Sequence, residues 1–419
     1  MRIAKLTKSI EARLDAARRG RDRAAERVAA RILADVARHG DRAVARWAAK
    51  LDGAHLAPGR FWISEAELDQ SRNCASPVLV RAIRQAAANI RRVAERQKPR
   101  PWSIEVEPGV RVAQIYRPLD RVGCYVPGGR FPLVSTLLMT AVPAQVAGVR
   151  EIVVACPRPS AVLLAAARII GIRRVLRVGG AQAIAAMALG TRAIERVDKI
   201  CGPGNRFVTA AKRLVSADCA IDVPAGPTEL LVVAERANPS FIAADLLAQA
   251  EHDPDAVALL VTPSAALARG VWEELQRQLR ALPRGNIARQ SLGRSGPIYL
   301  APNLDDALRF ANRFAPEHLS LPDEGAPASR LEGIRAAGSV FLGPWSAQPA
   351  GDYATGSNHV LPTAGWARAR GGLSTADFLR PIAVQRLSRA GLERLGKSVE
   401  TLARAEGLEA HARAIEVRR

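Results

Sequence analysis

The sequence predicts an α/β protein with mostly parallel sheets, on three observations. Short apolar runs bounded by Gly and Pro recur from about residue 110, helical patterns fall between them, and both ends of the chain read as helices. Over residues 1–100, Val28, Ile32, Val36, Val44 and Trp47 recur at three- and four-residue intervals, the period of one helix face. From RVAQIYRPLDRVGCYVP onward the pattern changes, and strands are expected in EIVVACP near 151, RVLRVGG near 174, LLVVAE near 230, AVALLVTP near 256 and SVFLG near 339. Strands alternating with helices imply right-handed crossovers and helices on both faces of each sheet. DLLAQAEHDPDA, residues 245–256, reads as an alanine- and leucine-rich helix carrying Gln249 and His252, three positions apart and so on one face. After about residue 370 the patterns in LSTADFLRPIAVQRLS and LGKSVETLARAEGLEAHARAIEVRR predict helices and no further strand.

Composition limits the function classes. A chain of 419 residues exceeds one hydrophobic core, so two or three domains are expected, and 48% apolar residues suffice to fill them. MRIAKLTKSIEARLDAARRG is charged throughout, unlike a signal peptide, and no segment reaches about 18 uninterrupted apolar residues, so a cytoplasmic protein is expected. Cys74, Cys124, Cys156, Cys201 and Cys219 form no CxxC pair and are expected as reduced thiols. The net charge of +21 raises nucleic-acid binding, but of 61 basic residues only seven are Lys. The Arg are spread over nearly every helix, alternate with acids in the first hundred residues and are not interleaved with aromatics, which disfavours a nucleic-acid surface.

Three glycine-rich turns stand where strands hand over to helices. RVGGAQAIAAMALGT ends a strand at Gly179-Gly180 and starts a helix at Ala181; CGPGNRFVTAAKR does the same at Gly202 to Asn205; GCYVPGGRFPLVST, residues 123–136, sets a Pro-Gly-Gly loop behind a tyrosine. Free N–H groups at such helix starts can hold a phosphate, which points to a dinucleotide. The second turn keeps two glycines of the dinucleotide fingerprint and has Phe207 in place of the third. Each turn alone also reads as simple punctuation. Of six histidines, His252, His318, His359 and His411 lie in conspicuous settings, accompanied by Glu317, Asp352 and Glu406. Imidazole, carboxylate and amide groups suit a zinc ion or an acid–base site, and spacing alone leaves both open.

GCYVPGG, GGAQAIAA, DKICGPGN, DVPAGPTE, DLLAQAEHDPDA, APEHL, AGSVFLG, AGDYATGSNHVLPT and AEGLEAH follow one another in an order that resembles the histidinol dehydrogenase family, nearly end to end. The resemblance implies two successive NAD-dependent oxidations, from L-histidinol through an enzyme-held aldehyde to L-histidine, with one zinc ion per site. It implies two incomplete Rossmann-like units, 20–124 with 230–371 and 125–229, and a helical N-terminal extension, 1–19. A C-terminal helical tail, 372–419, would reach the other subunit of an intertwined homodimer. On matched positions Gln249, His252 and Asp352 would hold zinc with His411 of the partner subunit. His318 would be the base in both oxidations and Glu317 would activate water. Tyr125, Gln182 and Asn205 would contact NAD. Thr228, Glu406 and the metal-side residues Gln249, His252, His318, Asp352 and His411 would bind substrate, and His359 is expected in either substrate contact or packing, with packing favoured. Thr228 stands where the family often has serine, and a related branch oxidises a sulfonated propanediol; the carboxylates Glu406 and Asp352 favour histidinol over a sulfonate.

Overall fold

In a computed structural model of the chain, residues 3–19, 22–57, 60–128, 133–223, 226–283, 285–296, 298–325 and 329–419 are described. Residues 129–132 of the Pro-Gly-Gly loop and 224–225 of DVPAGPTE lie outside them. The chain opens with β1 (Ile3–Lys5), α1 (Lys8–Arg19), α2 (Arg23–His39) and α3 (Asp41–Asp52). Asp22 caps α2 by accepting from Ala25 N, and Ala25, Ala29, Ile32 and Val36 bury one face of it. α4 (Glu65–Gln70) starts with a Ser64–Glu67 capping box, and α5 (Pro77–Gln97) with Ser76 ahead of Pro77.

β2 (Trp102–Glu107) and β3 (Val110–Pro118) precede the first alternating series. That series is β4 (Arg121–Tyr125), α6 (Val134–Ala147), β5 (Glu151–Ala155), α7 (Ala161–Ile169), β6 (Arg174–Leu176), α8 (Gly180–Leu189), β7 (Lys199–Cys201), α9 (Arg206–Val215) and β8 (Ala220–Ile221). The second series begins with β9 (Glu229–Val233), α10 (Pro239–Ala250), β10 (Val257–Thr262), α11 (Ala265–Ala281), α12 (Gly285–Ser295) and β11 (Ile298–Leu300). It continues with α13 (Leu304–Phe314), β12 (His318–Leu321), α14 (Ser329–Glu332), β13 (Ser339–Leu342) and α15 (Gln348–Tyr353). β14 (Leu379–Leu387), α16 (Arg389–Ala405) and α17 (Glu409–Glu416) end the chain.

Among the described residues these strands form two parallel sheets, ordered β6-β5-β4-β7-β8 and β1-β11-β10-β9-β12-β13, and one antiparallel sheet, β14-β3-β2. The parallel strands are covered on both faces by separate apolar clusters, which is why β9 and β10 read as continuous apolar runs rather than alternating ones. Strand order reverses between β4 and β7 in one sheet and between β9 and β12 in the other.

The α/β class and the strands expected near 151, 174, 230, 256 and 339 are present. Three features differ from the sequence reading. The N-terminal extension contains a strand: β1, too short to show any periodicity, pairs in parallel with β11. The tail also contains one: LRPIAVQRL is exposed along nearly its whole length and carries Arg and Pro, so it lacks an apolar signature, yet β14 pairs with β3 along its entire run. Finally, β4 lies at the centre of the five-stranded sheet, α2 and α3 pack on α8, and α5 packs on α6. Most of segment 20–124 therefore packs with the unit expected at 125–229 and not, as the resemblance implied, with 230–371.

At the β4/β7 reversal the backbone is tight. Gly202 has φ +110°, and a Cβ there would collide with the Tyr125 carbonyl oxygen, whereas Gly171, at φ +80°, has open space around it. Gly171→Ala is expected to cost about 1 kcal/mol from backbone conformation alone. Gly202→Ala is expected to cost about 2–3 kcal/mol or more, and paired urea unfolding curves measure the difference.

Candidate functional site

The site is built on the N-terminal ends of two neighbouring strands. β9 and β12 run in parallel with His318 opposite Leu230, so Thr228-Glu229 and Glu317-His318 lie side by side at one edge of the six-stranded sheet. Ligands of open α/β sheets normally sit at the other, C-terminal edge. There the donors are already satisfied: buried Asp323 accepts from Glu235 N and Arg236 N and pairs with Arg330.

Glu317 and His318 are both buried. His318 Nδ1 lies 2.9 Å from the Glu229 carbonyl oxygen, which can only accept, so Nδ1 carries the proton and Nε2 is bare. Nε2 is buried without a hydrogen-bond partner, 3.7 Å from Asp352 Oδ1. Burial holds the imidazole below its ordinary pKa and so keeps it neutral, although Asp352 opposes this. Glu317 Oε2 accepts from the Thr228 hydroxyl and from Glu229 N, each at 2.7 Å. Burial nevertheless pushes its carboxyl up to about 8.

Gln249, in the last turn of α10, is fully buried. Its Nε2 donates to Thr228 Oγ1 at 2.6 Å and its Oε1 is left without a partner. Asp352, on α15, accepts from Gln348 Nε2 at 2.7 Å through Oδ2. His252 does not continue the helix face expected for it: α10 ends at Ala250 and His252 lies exposed in the turn beyond, tied to the last turn by its N–H on the Gln249 carbonyl. The helix stops because Asp253-Pro254 follows, and Pro disfavours helical backbone in the residue before it. His359 is half-buried, with Nδ1 3.1 Å from the Asp352 carbonyl and Nε2 3.4 Å from Thr136 Oγ1, so both ring nitrogens have partners within the chain.

Among the described residues no cluster of three or more His, Cys, Asp or Glu side chains has the geometry of a metal site. The donors that fit are the orphaned Gln249 Oε1, the Asp352 carboxylate and His252 at the rim, an N/O set suited to zinc but short of four. Glu406 and His411 are not brought to this set within the chain. They are exposed on the C-terminal arm, where α17 packs on α16 and Arg404 pairs with Glu409 and Glu416.

The expected cofactor residues surround the β4/β7 reversal. Tyr125, at the end of β4, is buried and its hydroxyl accepts from Gly180 N at 3.0 Å; burial raises its phenol. Buried Gln182 donates through Nε2 to Asp52 at 2.9 Å, with its Oε1 unpartnered. Exposed Asn205 is the N-cap of α9, its Oδ1 accepting from Phe207 N and Val208 N. Several of the helix-start N–H groups expected to be free for phosphate are thus taken by side chains of the chain itself. A cleft of about 1240 Å³ runs from Asn205 and Arg206 to Thr228 and Glu229, joining the C-terminal edge of one sheet to the N-terminal edge of the other.

Four contributors escaped the sequence reading. Glu229 was visible only as Thr228's neighbour in PAGPTE, Gln348 stands four residues before Asp352 without a motif to mark it, and Asp52 and Arg18 carried no local signal, since each acts through a residue distant in sequence.

The family model described as histidinol dehydrogenase matches residues 16–419. The histidinol dehydrogenase of Methanothermobacter thermautotrophicus is 47% identical over 388 residues, covering 91% of this chain and 90% of that protein. That of Vibrio parahaemolyticus is 46% identical over 392 residues, covering 92% and 90%. The crystal structure of histidinol dehydrogenase from Elizabethkingia anophelis superposes with a TM-score of 0.93 at 38% identity, covering 99% of this chain and 97% of that one.

Proposed function

The chain belongs to the histidinol dehydrogenase family, and from that premise we propose how its residues carry out the reaction. It is an NAD-dependent oxidoreductase that takes L-histidinol through L-histidinal to L-histidine in a four-electron oxidation. The observation that carries the residue assignment is the bare, buried Nε2 of His318, which faces Asp352 Oδ1 at 3.7 Å while Glu317 Oε2 lies 3.7 Å from the ring's other nitrogen, Nδ1.

In the first oxidation, His318 Nε2 accepts the hydroxyl proton as hydride passes from the alcohol carbon to NAD, giving the aldehyde and one NADH. In the second, protonated His318 returns its proton to the aldehyde oxygen while Glu317, as carboxylate, takes a proton from water as the water oxygen adds to the aldehyde carbon, which gives the hydrate and leaves His318 neutral. His318 then removes a hydroxyl proton from the hydrate as a second hydride leaves to a second NAD, giving the carboxylic acid. One water and two NAD are consumed, and two NADH are formed. Thr228 holds Glu317 Oε2 and supplies a polar contact for substrate. Tyr125, Gln182 and Asn205 bind NAD at the β4/β7 reversal, beside the cleft that leads to Thr228.

Gln249, His252 and Asp352, with His411 of a second copy of the chain, would hold one zinc ion. Bound there, zinc would orient the substrate through its amine and imidazole nitrogens. Glu406 would arrive on the same arm to bind substrate. Two observations support a homodimer with a shared site. The donor set is one short within a chain, and the C-terminal arm exposes Ile382, Val384, Leu387 and Leu402, while β2, on the far side of β3 in the sheet that β14 joins, exposes Trp102, Ile104 and Val106. No helix among the described residues is long and apolar enough to cross a membrane. Five free cysteines fit the reducing cytoplasm as its location.

NADH formed per L-histidinol consumed tests the function: the expected ratio is two, with activity lost on chelation and restored by zinc. No turnover by zinc-loaded, NAD-binding protein would overturn it. Glu317→Gln is expected to slow aldehyde oxidation about 100-fold or more while alcohol oxidation suffers much less, as single-turnover assays on each substrate read. Because the carboxylate is the active form of Glu317, the aldehyde step should rise with pH through about 8 and be lost as pH falls below it. His411→Asn and Glu317→Gln proteins, each nearly inactive, should recover about a quarter of wild-type activity when mixed and allowed to exchange subunits, since a heterodimer holds one intact site. Confirmed exchange without recovery would refute the shared site.

A further inference from the structure

Glu229 uses both of its backbone polar groups and both carboxylate oxygens to hold the site. Its carbonyl accepts His318 Nδ1 at 2.9 Å and its N–H donates to Glu317 Oε2 at 2.7 Å. Its Oε2 faces Glu317 N at 3.3 Å and its Oε1 accepts Ala364 N at 2.9 Å. Glu229 and Glu317 are therefore bound reciprocally, each carboxylate accepting from the other's backbone N–H. What faces it from outside this strand pair is Arg18, near the end of α1: Nε stands 3.2 Å from Glu229 Oε1, and both side chains are at most 2% exposed.

Arg18 is itself fixed on two further sides. Its Nη2 donates to the Phe314 carbonyl at 2.7 Å, and its guanidinium lies 3.5 Å over the Phe314 ring. Phe314 is the last residue of α13, and Ala315, at φ +51°, turns the chain toward Pro316 and Glu317. One planar cation thus grips the segment leading into Glu317-His318 and, through Glu229, the strand that orients both side chains. Lysine could not reproduce this, because a point charge cannot stack on a ring, donate to a carbonyl and pair with a carboxylate in one plane.

We infer that Arg18 of the N-terminal helix, acting through Glu229, is a positioning residue for the Glu317–His318 pair. This rests on the assignment of that pair as the reacting groups. Displacing a base by about 1 Å costs up to about 100-fold in rate, so the effect falls on kcat rather than on binding.

The test uses full-length, zinc-loaded protein with L-histidinol and NAD. Arg18→Ala is expected to lower kcat about 30- to 100-fold with both KM values within about twofold of wild type. Millimolar guanidinium should recover several-fold of the loss and urea, a neutral isostere, none; Arg18→Lys should fall between Ala and wild type. A kcat within about twofold of wild type in Arg18→Ala, or a loss indifferent to guanidinium and shared equally by KM, overturns the inference. If Arg18→Ala does not fold, Glu229→Gln replaces it: residue 229 keeps its N–H and carbonyl, and a reduced kcat at unchanged KM is expected, with an unchanged kcat again overturning it. Failure of the underlying assignment shows separately, as full activity in Glu317→Gln and His318→Asn measured alongside.

Discussion

His318 presents a bare Nε2 because a carbonyl oxygen holds the proton on its other nitrogen. The Glu229 carbonyl at 2.9 Å fixes the tautomer, and burial keeps the ring neutral. Much of the surrounding structure keeps that contact in place. The parallel register of β9 and β12 sets Glu229 beside Glu317-His318, Arg18 and Ala364 N hold the Glu229 carboxylate, and α10 and α15 bring Gln249 and Asp352 over the same edge. Three carboxyl groups, on Glu229, Glu317 and Asp352, are buried there. Burial raises Glu229 to about 7 and Glu317 to about 8, so charging both in the free protein is costly.

The edge on which the site lies follows from what closes the opposite edge. Asp323 takes the backbone N–H groups at the C-terminal end of β9, where a parallel sheet with this strand order would otherwise offer donors to an anion. The five-stranded sheet keeps the usual arrangement, with Gly128 after β4 and Gly202 after β7 at the reversal. The 1240 Å³ cleft joins these two unlike edges. Its lining takes Asn205 from the edge of the five-stranded sheet and Thr228 and Glu229 from that of the six-stranded sheet.

Much of this was legible in the sequence, for identifiable reasons. Buried parallel strands announce themselves as apolar runs, so β5, β6, β9, β10 and β13 could be placed from composition. β14 could not, because an exposed edge strand needs no apolar face. Glu317, His318, Gln249 and Asp352 were found through ordered motifs, and the fold gathers them at one edge. Their supports were not found: Arg18 and Glu229 are 211 positions apart and Asp52 and Gln182 are 130 apart, and no local pattern links residues at such separations. The glycine turns misled in one respect. Asn205 caps its own helix and the Tyr125 hydroxyl takes Gly180 N, so N–H groups that looked free are bonded.

The orientation of the Gln249 amide follows from the same chain of bonds. Glu317 Oε2 already accepts Glu229 N–H, and it accepts the Thr228 hydroxyl proton as well. A hydroxyl has one proton, so Thr228 Oγ1 can only accept from Gln249, and the amide must turn its NH₂ toward it. Oε1 then faces away from Thr228, buried and unpartnered, as the only acceptor that the amide has left to offer. The hydroxyl is all that this relay requires. Serine and threonine at position 228 both supply it, and the added methyl of Thr228 leaves untouched the hydrogen bonds that orient Glu317 and Gln249.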